Sequence, residues 1–281
     1  MLNSFNQCVN VKTLYVSDLD GTLLTSDMNI SENSLKIINT LIDEGMLFTY
    51  ATARSISSAS IVAAGLATKH PIIAYNGAFI VEPGTRKILA KEDFNRAEIQ
   101  TVKELLTKAH ISPLVYAFVD DKERVSWIPQ KENEGKRHYI NSRNGDRRLR
   151  PVEADEELYE GEVFYFTCIG EKEELEPMYE ALKDNENLTC TFQSEIYRDE
   201  YWLEIMPRKA TKANAILKLK ELLGCDRIVS FGDAINDIPM FEISDECYAV
   251  ENAVDKLKQM ATEVIESNNN DGVAKWLQNK K

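Results

Sequence analysis

Two aspartates two residues apart, Asp18 and Asp20, follow the apolar run Lys12 to Ser17, so both carboxylates can project toward one crevice while Leu19 between them points elsewhere. Two like charges this close call for a cation, although a lone pair of this spacing also suits a solvated turn. A calcium loop does not fit, because Thr22 and Leu23 stand where it wants an acidic residue and a glycine. A second group, Ala51-Thr52-Ala53-Arg54, comes directly after another apolar run. The Thr52 hydroxyl and nearby backbone N–H groups at a helix start could hold phosphate oxygens, and the same geometry describes an ordinary Thr N-cap. Lys212 stands at the start of a helical pattern, where a cation opposes the helix dipole by ~0.3–1 kcal/mol. It is either a solvated lysine or one held by some other interaction. Gly232-Asp233-Ala234-Ile235-Asn236-Asp237 follows the run RIVSF. Asp233 would face the crevice of Asp18, and Asp237 either serves that crevice or caps the turn. Each signal is weak alone, but all four fall at a strand's carboxyl end or at a helix start, which points to one shared site.

The elements that carry these groups alternate. Lys12 to Ser17 reads as a buried strand, and Ser31 to Glu44 as a helix with Leu35, Ile38, Leu41 and Ile42 on one face, Ser31 as N-cap and Gly45 as stop. Met46 to Ala51 is a second strand, Thr52 opens another helical pattern, and Pro71 to Tyr75 is a third strand closed by Asn76-Gly77. The rhythm predicts an α/β fold, a doubly wound Rossmann-like parallel sheet whose ligands lie beyond the carboxyl ends of its strands. After Glu82 it changes. A helix at 96–109, strand-like runs 113–119 and 124–128 joined by the turn Asp120 to Glu123, a polar basic segment 131–150, and strands and a helix through Met206 predict an inserted α+β domain. The parallel rhythm returns with a helix at 211–223, the strand Arg227 to Phe231, a short helix from Ile238, a strand at 248–250 and a helix near 272–278. The domain division read here is 1–82 with 203–281, and 83–202.

The 281 residues suit two packed domains better than one core of ~100–150 residues. Hydrophobic residues at 43% and charged residues at 28% describe ordinary cores without a compositional sign of disorder. A net charge of -13 repels phosphate backbones and argues against nucleic acid as a partner. Five scattered cysteines without a CxxC pair fit a reducing, cytoplasmic setting. The first residues lack a basic segment followed by an apolar one, and no run approaches the ~20 apolar residues of a membrane span, so neither secretion nor a membrane partner is expected.

DLDGTLL, ATAR, Lys212 and GDAIND resemble the four signature motifs of the haloacid dehalogenase-like hydrolases. YNGA at 75–78 and the tail ENA with SNNNDGVA are similar to the Cof-type subgroup, which carries an α/β cap between its second and third motifs. The resemblance covers Val11 to Val81 and Leu203 onward; the cap matches in position and rhythm only. Ala53 stands where the family often has glycine, a change that keeps the backbone donor.

The resemblance implies a Mg²⁺-dependent phosphatase of small phosphorylated metabolites, such as sugar phosphates or the cofactors pyridoxal phosphate and flavin mononucleotide. Asp18 would be the nucleophile that becomes an aspartyl phosphate. Asp20 would be general acid and then general base. Mg²⁺ would be held by Asp18, the backbone carbonyl of Asp20 and Asp233, with Asp237 orienting them. Lys212, Thr52, Asn236 and the N–H groups of Leu19 and Ala53 would hold the phosphoryl group. A phosphomutase and a phosphometabolite-binding regulator without turnover are the alternatives. The chain is expected to be a monomer or a homodimer. The basic segment 131–150 could recognise a second anionic group of the substrate or form a solvated face, and Trp127 and Trp202 could stack on a ring or fill the cap core.

Overall fold

The apolar run ahead of Asp18 forms strand β1 (Thr13–Ser17), followed after a tight turn by helix α1 (Glu32–Asp43) and strand β2 (Leu47–Tyr50). The computed structural model describes residues 11–194 and 200–280. Ser31 caps α1 by accepting from the Ser34 N–H; of the four apolar positions the spacing puts on one face, Ile38, Leu41 and Ile42 are buried and Leu35 is half-buried. Helix α2 (Ile56–Val62) and the short strands β3 (Ile72–Ala74), β4 (Phe79–Val81) and β5 (Ile88–Lys91) complete the first stretch.

The chain then runs through helix α3 (Arg96–Lys108), strands β6 (Leu114–Val119) and β7 (Lys122–Trp127), helix α4 (Glu134–Asn141), strand β8 (Leu149–Pro151), helix α5 (Asp155–Leu158) and strand β9 (Glu162–Gly170). Helix α6 (Lys172–Leu182) and strands β10 (Leu188–Ser194) and β11 (Tyr201–Pro207) follow. The remainder is helix α7 (Lys212–Leu223), strand β12 (Arg227–Gly232), helix α8 (Ile238–Glu242), strand β13 (Glu246–Val250), helix α9 (Asp255–Met260), strand β14 (Glu263–Ile265) and helix α10 (Gly272–Asn279).

Two units result, one up to Ala90 together with Lys212 onward, the other Lys91–Thr211. The sequence pattern alone puts these joins at 82/83 and 202/203. Strand β11, which that division cuts at Leu203, pairs along its length with β10 and β9 and so belongs wholly to the second unit.

In the first unit the sheet order is β14-β13-β12-β1-β2, all parallel, continued by a bridge between Ala51 and Ile73. Parallel strands covered on both faces must be apolar throughout. Leu14, Val16, Ile228 and Phe231 are fully buried, each stabilising by ~1.5–3 kcal/mol. Helix α10 packs on α1. This is the α/β doubly wound core that the alternating rhythm predicts.

The second unit is α+β. Its six-stranded sheet, β10-β11-β9-β6-β7-β8, is antiparallel except for the β7/β8 pair. Val102 and Leu106 of α3 and Leu175 and Met178 of α6 cluster with Val115, Phe166 and Ile205 from the strands. The β6–β7 turn is tighter than the expected Asp120 to Glu123. Asp120 and Asp121 both have positive φ, as a two-residue hairpin turn requires, so Lys122 and Glu123 already belong to β7.

The basic segment is largely satisfied locally. Lys131 pairs with Asp155, Arg137 with Glu132, Arg148 with Asp146 and Glu123, and Arg150 with Glu160. Lys136 is buried, with Nζ donating to the carbonyls of Ser112 and Lys131, and Arg143 lies over the Tyr139 ring. Trp127 is core, with its indole N–H donating to Glu132, and Trp202 packs edge-on to Tyr139. Among the described residues no helix is long and apolar enough to cross a membrane.

Candidate active site

Strands β1 and β12 are neighbours, Ser17 beside Phe231, and the Asp18 N–H donates to the Phe231 carbonyl at 2.9 Å. From β1 the chain moves to β2 on one side, and later returns to β12 on the other. The crevice beyond their carboxyl ends is the point where the order reverses. Asp18 leaves β1 there, and Asp233 leaves β12.

The turn after Asp18 brings the two loops together. Gly21 has φ +74, and a Cβ on it would lie 2.3 Å from Asp233 Oδ2, so both conformation and space demand glycine. Next to it, the Thr22 hydroxyl donates to Asp233 Oδ1 at 2.8 Å. Lys212, at the start of α7, donates from Nζ to Asp18 Oδ1 at 2.6 Å and to Asp237 Oδ1 at 2.7 Å. These two carboxylates supply the interaction that its unfavourable place on the helix dipole calls for. Asp237 is fully buried, and its Oδ2 accepts from the backbone N–H groups of Asp233 and Ala234 at 3.0 and 3.1 Å. Both of its oxygens are therefore engaged in holding the lysine and the Asp233 loop.

The charges are not balanced by the protein alone. Ligand oxygens of Asp18, Asp233 and Asp237 lie within 4.8 Å of one another, against the single ammonium of Lys212. With all three carboxylates ionised, two negative charges are left over. Burial pushes the Asp18 carboxyl well above the ordinary aspartate range; Lys212 opposes this, and the charges of Asp237, Asp233 and Asp20 add to it. Burial likewise pushes Asp233 up to about 7, with Asp237 pushing the same way. For Lys212, burial works against the charge, yet Asp18 and Asp237 hold the ammonium above the ordinary lysine value. Lys212 thus stays charged, and the upward push on the aspartates comes from burial and from like charges that a divalent cation would cancel. An all-oxygen donor set with this charge fits a hard divalent metal.

The other residues singled out by sequence surround this cluster. Thr52 is fully buried; its hydroxyl accepts from the Arg54 N–H at 3.1 Å. It does not cap a helix: Ser55 caps α2, accepting from Ser58, which moves the helix start three residues on from the position the sequence pattern predicts. Among the described residues the N–H groups of Leu19 and Ala53 donate to no protein acceptor, which leaves them free for an anion. Asn236 donates to the Asn76 side chain at 3.4 Å. The Asp20 carboxylate is not in the aspartate cluster; it pairs with Arg54.

Several residues that hold the site are not singled out individually by sequence, although each lies inside a motif string. Thr22 belongs to DLDGTLL and Arg54 to ATAR. In YNGA, Tyr75, Asn76 and Gly77 all have positive φ, and the Tyr75 and Asn76 N–H groups donate to the carbonyls of Arg54 and Thr52. Strain of this kind persists where the surroundings enforce it. Asn252 of ENA donates to the Gly21 carbonyl at 2.7 Å, and Asn268 of SNNND donates to the Leu24 carbonyl at 2.8 Å. Asp271 accepts from Ser31, Asn33 and Ser34. The C-terminal motif is thereby a brace for the loop after β1.

Comparison with known proteins identifies the family. The family model for haloacid dehalogenase-like hydrolases matches residues 15–277. Two 5-amino-6-(5-phospho-D-ribitylamino)uracil phosphatases of Bacillus subtilis (strain 168) are 27% and 28% identical to the chain; the alignments cover 92% and 94% of it and 95% and 96% of the relatives. The crystal structure of a haloacid dehalogenase-like hydrolase from Bacteroides thetaiotaomicron superposes with a TM-score of 0.78 at 22% identity, over 96% of this chain and 100% of that one, and so shares the fold. With the family model spanning nearly the whole chain, the protein belongs to the haloacid dehalogenase-like hydrolases.

Proposed function

We propose that this phosphatase hydrolyses small phosphorylated metabolites, sugar phosphates or phosphorylated cofactors, through an aspartyl phosphate on Asp18, and that the inserted unit serves it as a cap domain. The observation that carries the reading is the buried cluster at the sheet's reversal point, Asp18 bound by Lys212 beside Asp233 and Asp237. Mg²⁺ would be held by Asp18, the backbone carbonyl of Asp20 and Asp233, with Asp237 orienting the set. Its contribution is to neutralise charge on the phosphoryl oxygens.

In the first half-reaction an Asp18 carboxylate oxygen attacks phosphorus, the bond to the leaving oxygen breaks, and Asp20 gives that oxygen its proton. In the second, Asp20 takes a proton from water as the water oxygen attacks phosphorus, releasing phosphate and restoring the Asp18 carboxylate. Lys212 keeps one Asp18 oxygen oriented and offsets charge on the phosphoryl group. Thr52, Asn236 and the N–H groups of Leu19 and Ala53 hold the other oxygens, so little reorganisation is needed as charge develops.

The ribityl phosphate named for two relatives is the first substrate to try, with sugar phosphates and phosphorylated cofactors beside it. Phosphate release is measured over such a panel with and without Mg²⁺, for the parent and for Asp18→Asn. The reading expects Mg²⁺-dependent release that Asp18→Asn abolishes. An isomeric phosphate formed without free phosphate would indicate a mutase instead. Ligand-induced thermal stabilisation with no turnover would indicate a binding protein.

A further inference from the structure

Arg54 directs its guanidinium at the Asp20 carboxylate. Nε reaches Oδ2 at 2.7 Å and Nη2 reaches Oδ1 at 2.6 Å, a fork that a lysine cannot reproduce. The arginine is anchored on every side. Nη1 donates to the Ser58 hydroxyl at 3.0 Å, its backbone N–H donates to the Thr52 hydroxyl at 3.1 Å, and its carbonyl accepts from the Tyr75 N–H at 3.0 Å. Its side chain is 16% exposed, whereas that of Asp20 is 45% exposed. The arginine is thus the fixed member of the pair and the aspartate the one being fixed. With Asp20 45% exposed, water screens the attraction and limits what the pair contributes to folding, whereas the fork itself fixes the orientation of the carboxylate.

The fork also leaves chemistry possible. A carboxylate oxygen carries two lone pairs, and Arg54 takes one on each oxygen of Asp20, leaving the other for a proton. We propose that Arg54 is a positioning residue for Asp20, fixing the plane in which this carboxyl exchanges protons with the leaving oxygen and then with water. The inference rests on the reading of Asp20 as acid and base given above. The proton leaves Asp20 as the phosphorus–oxygen ester bond breaks, and returns from water as the new phosphorus–oxygen bond forms.

The test is a double-mutant cycle read with two esters. Arg54→Gln, Arg54→Lys, Asp20→Asn and the double variant Arg54→Gln/Asp20→Asn are compared by pre-steady-state release of the leaving group. One ester is an alkyl phosphate, whose alkoxide needs a proton, and the other is para-nitrophenyl phosphate, whose phenolate does not. Arg54→Gln is expected to slow alkyl-phosphate release on the order of 100-fold and para-nitrophenyl release by less than about 10-fold, with little change in KM. The double variant should be no slower than Asp20→Asn alone, because an arginine acting through Asp20 has nothing left to act on. Arg54→Lys keeps the charge without the fork. Slow alkyl-phosphate release from that variant, in a protein that melts with the parent, excludes loss of fold as the cause. Equal slowing with both esters, or a double variant slowed by the full product of the single effects, overturns the proposal. An Asp20→Asn protein with no preference between the esters overturns instead the acid–base reading beneath it.

Discussion

Replacing Gly21 by alanine adds a methyl group where the site has no room for one. Its φ of +74 lies in the left-handed region, where an L side chain costs ~1–2 kcal/mol. The new Cβ would stand 2.3 Å from Asp233 Oδ2 and 2.9 Å from the carboxyl carbon, so the carboxylate must retreat by ~1 Å to reach ordinary separation. A displacement of about 1 Å in a catalytic group costs on the order of 100-fold in rate. Gly45 supplies the control: it has φ +102, and a Cβ there would meet nothing within 4 Å, so Gly45→Ala carries the backbone strain without the collision. Both variants are expected to lose stability in urea titrations. Only Gly21→Ala should lose ~100-fold in phosphate release, together with most of the rise in melting temperature that Mg²⁺ produces. A Gly21→Ala protein with the parent's Mg²⁺ response and rate, or a Gly45→Ala protein that loses both equally, would refute the reasoning.

Three further outcomes are expected. Lys212→Ala should lower phosphate release by ~100 to 1000-fold at saturating substrate, through loss of a preorganised donor beside Asp18; a rate near the parent's would count against its role. Asp18 is raised and Asp233 is pushed up to about 7, so the metal-free folded protein holds protons that the unfolded chain releases. Stability from Asp233 is complete below the ordinary aspartate value and is lost as pH rises through about 7; the contribution of Asp18, also raised, falls in the same direction as pH rises. The melting shift on adding Mg²⁺ should therefore grow between about pH 5.5 and pH 8, as the ion replaces those protons, and a shift that is constant or shrinks would contradict this. Asp271→Ala removes the acceptor shared by Ser31, Asn33 and Ser34 and should cost ~2 kcal/mol in urea unfolding. Asp271→Asn should recover part of that cost, since asparagine tolerates the positive φ of this position.

The core is legible wherever apolar runs meet turn-forming residues. KTLYVS, RIVSF and the helix opened by Ser31 form where their patterns require, because parallel strands buried on both faces and an amphipathic helix leave strong periodic signals. The strands β4 and β14 are three residues each, too short for any periodicity to register. Thr52 reads as a helix start because Thr and Ser are both good caps, and only the pairing of its backbone with Ile73 and Asn76 makes Ser55 the true one. In the site, the aspartates and Lys212 can be named from sequence because their types are costly to bury without partners. Arg54, Asn252 and Asn268 cannot, since their roles depend on loops that only the fold brings near Asp20, Gly21 and Leu24. The composition of the basic segment 131–150 leaves an anion site and a solvated face both open, because Glu132 and Asp146 pair with it from within but its other partners, Asp155, Glu123 and Glu160, lie outside it in sequence.

Chemical capture of the intermediate examines the nucleophile itself. The enzyme is mixed with a turned-over phosphate ester, quenched in acid during the steady state, reduced with borohydride and digested for mass spectrometry. An acyl phosphate at Asp18 is reduced to homoserine at that position, and the account requires this conversion in the parent, dependent on substrate and Mg²⁺. An unmodified Asp18 in enzyme that is releasing phosphate at full rate, or conversion at another carboxylate, would contradict it.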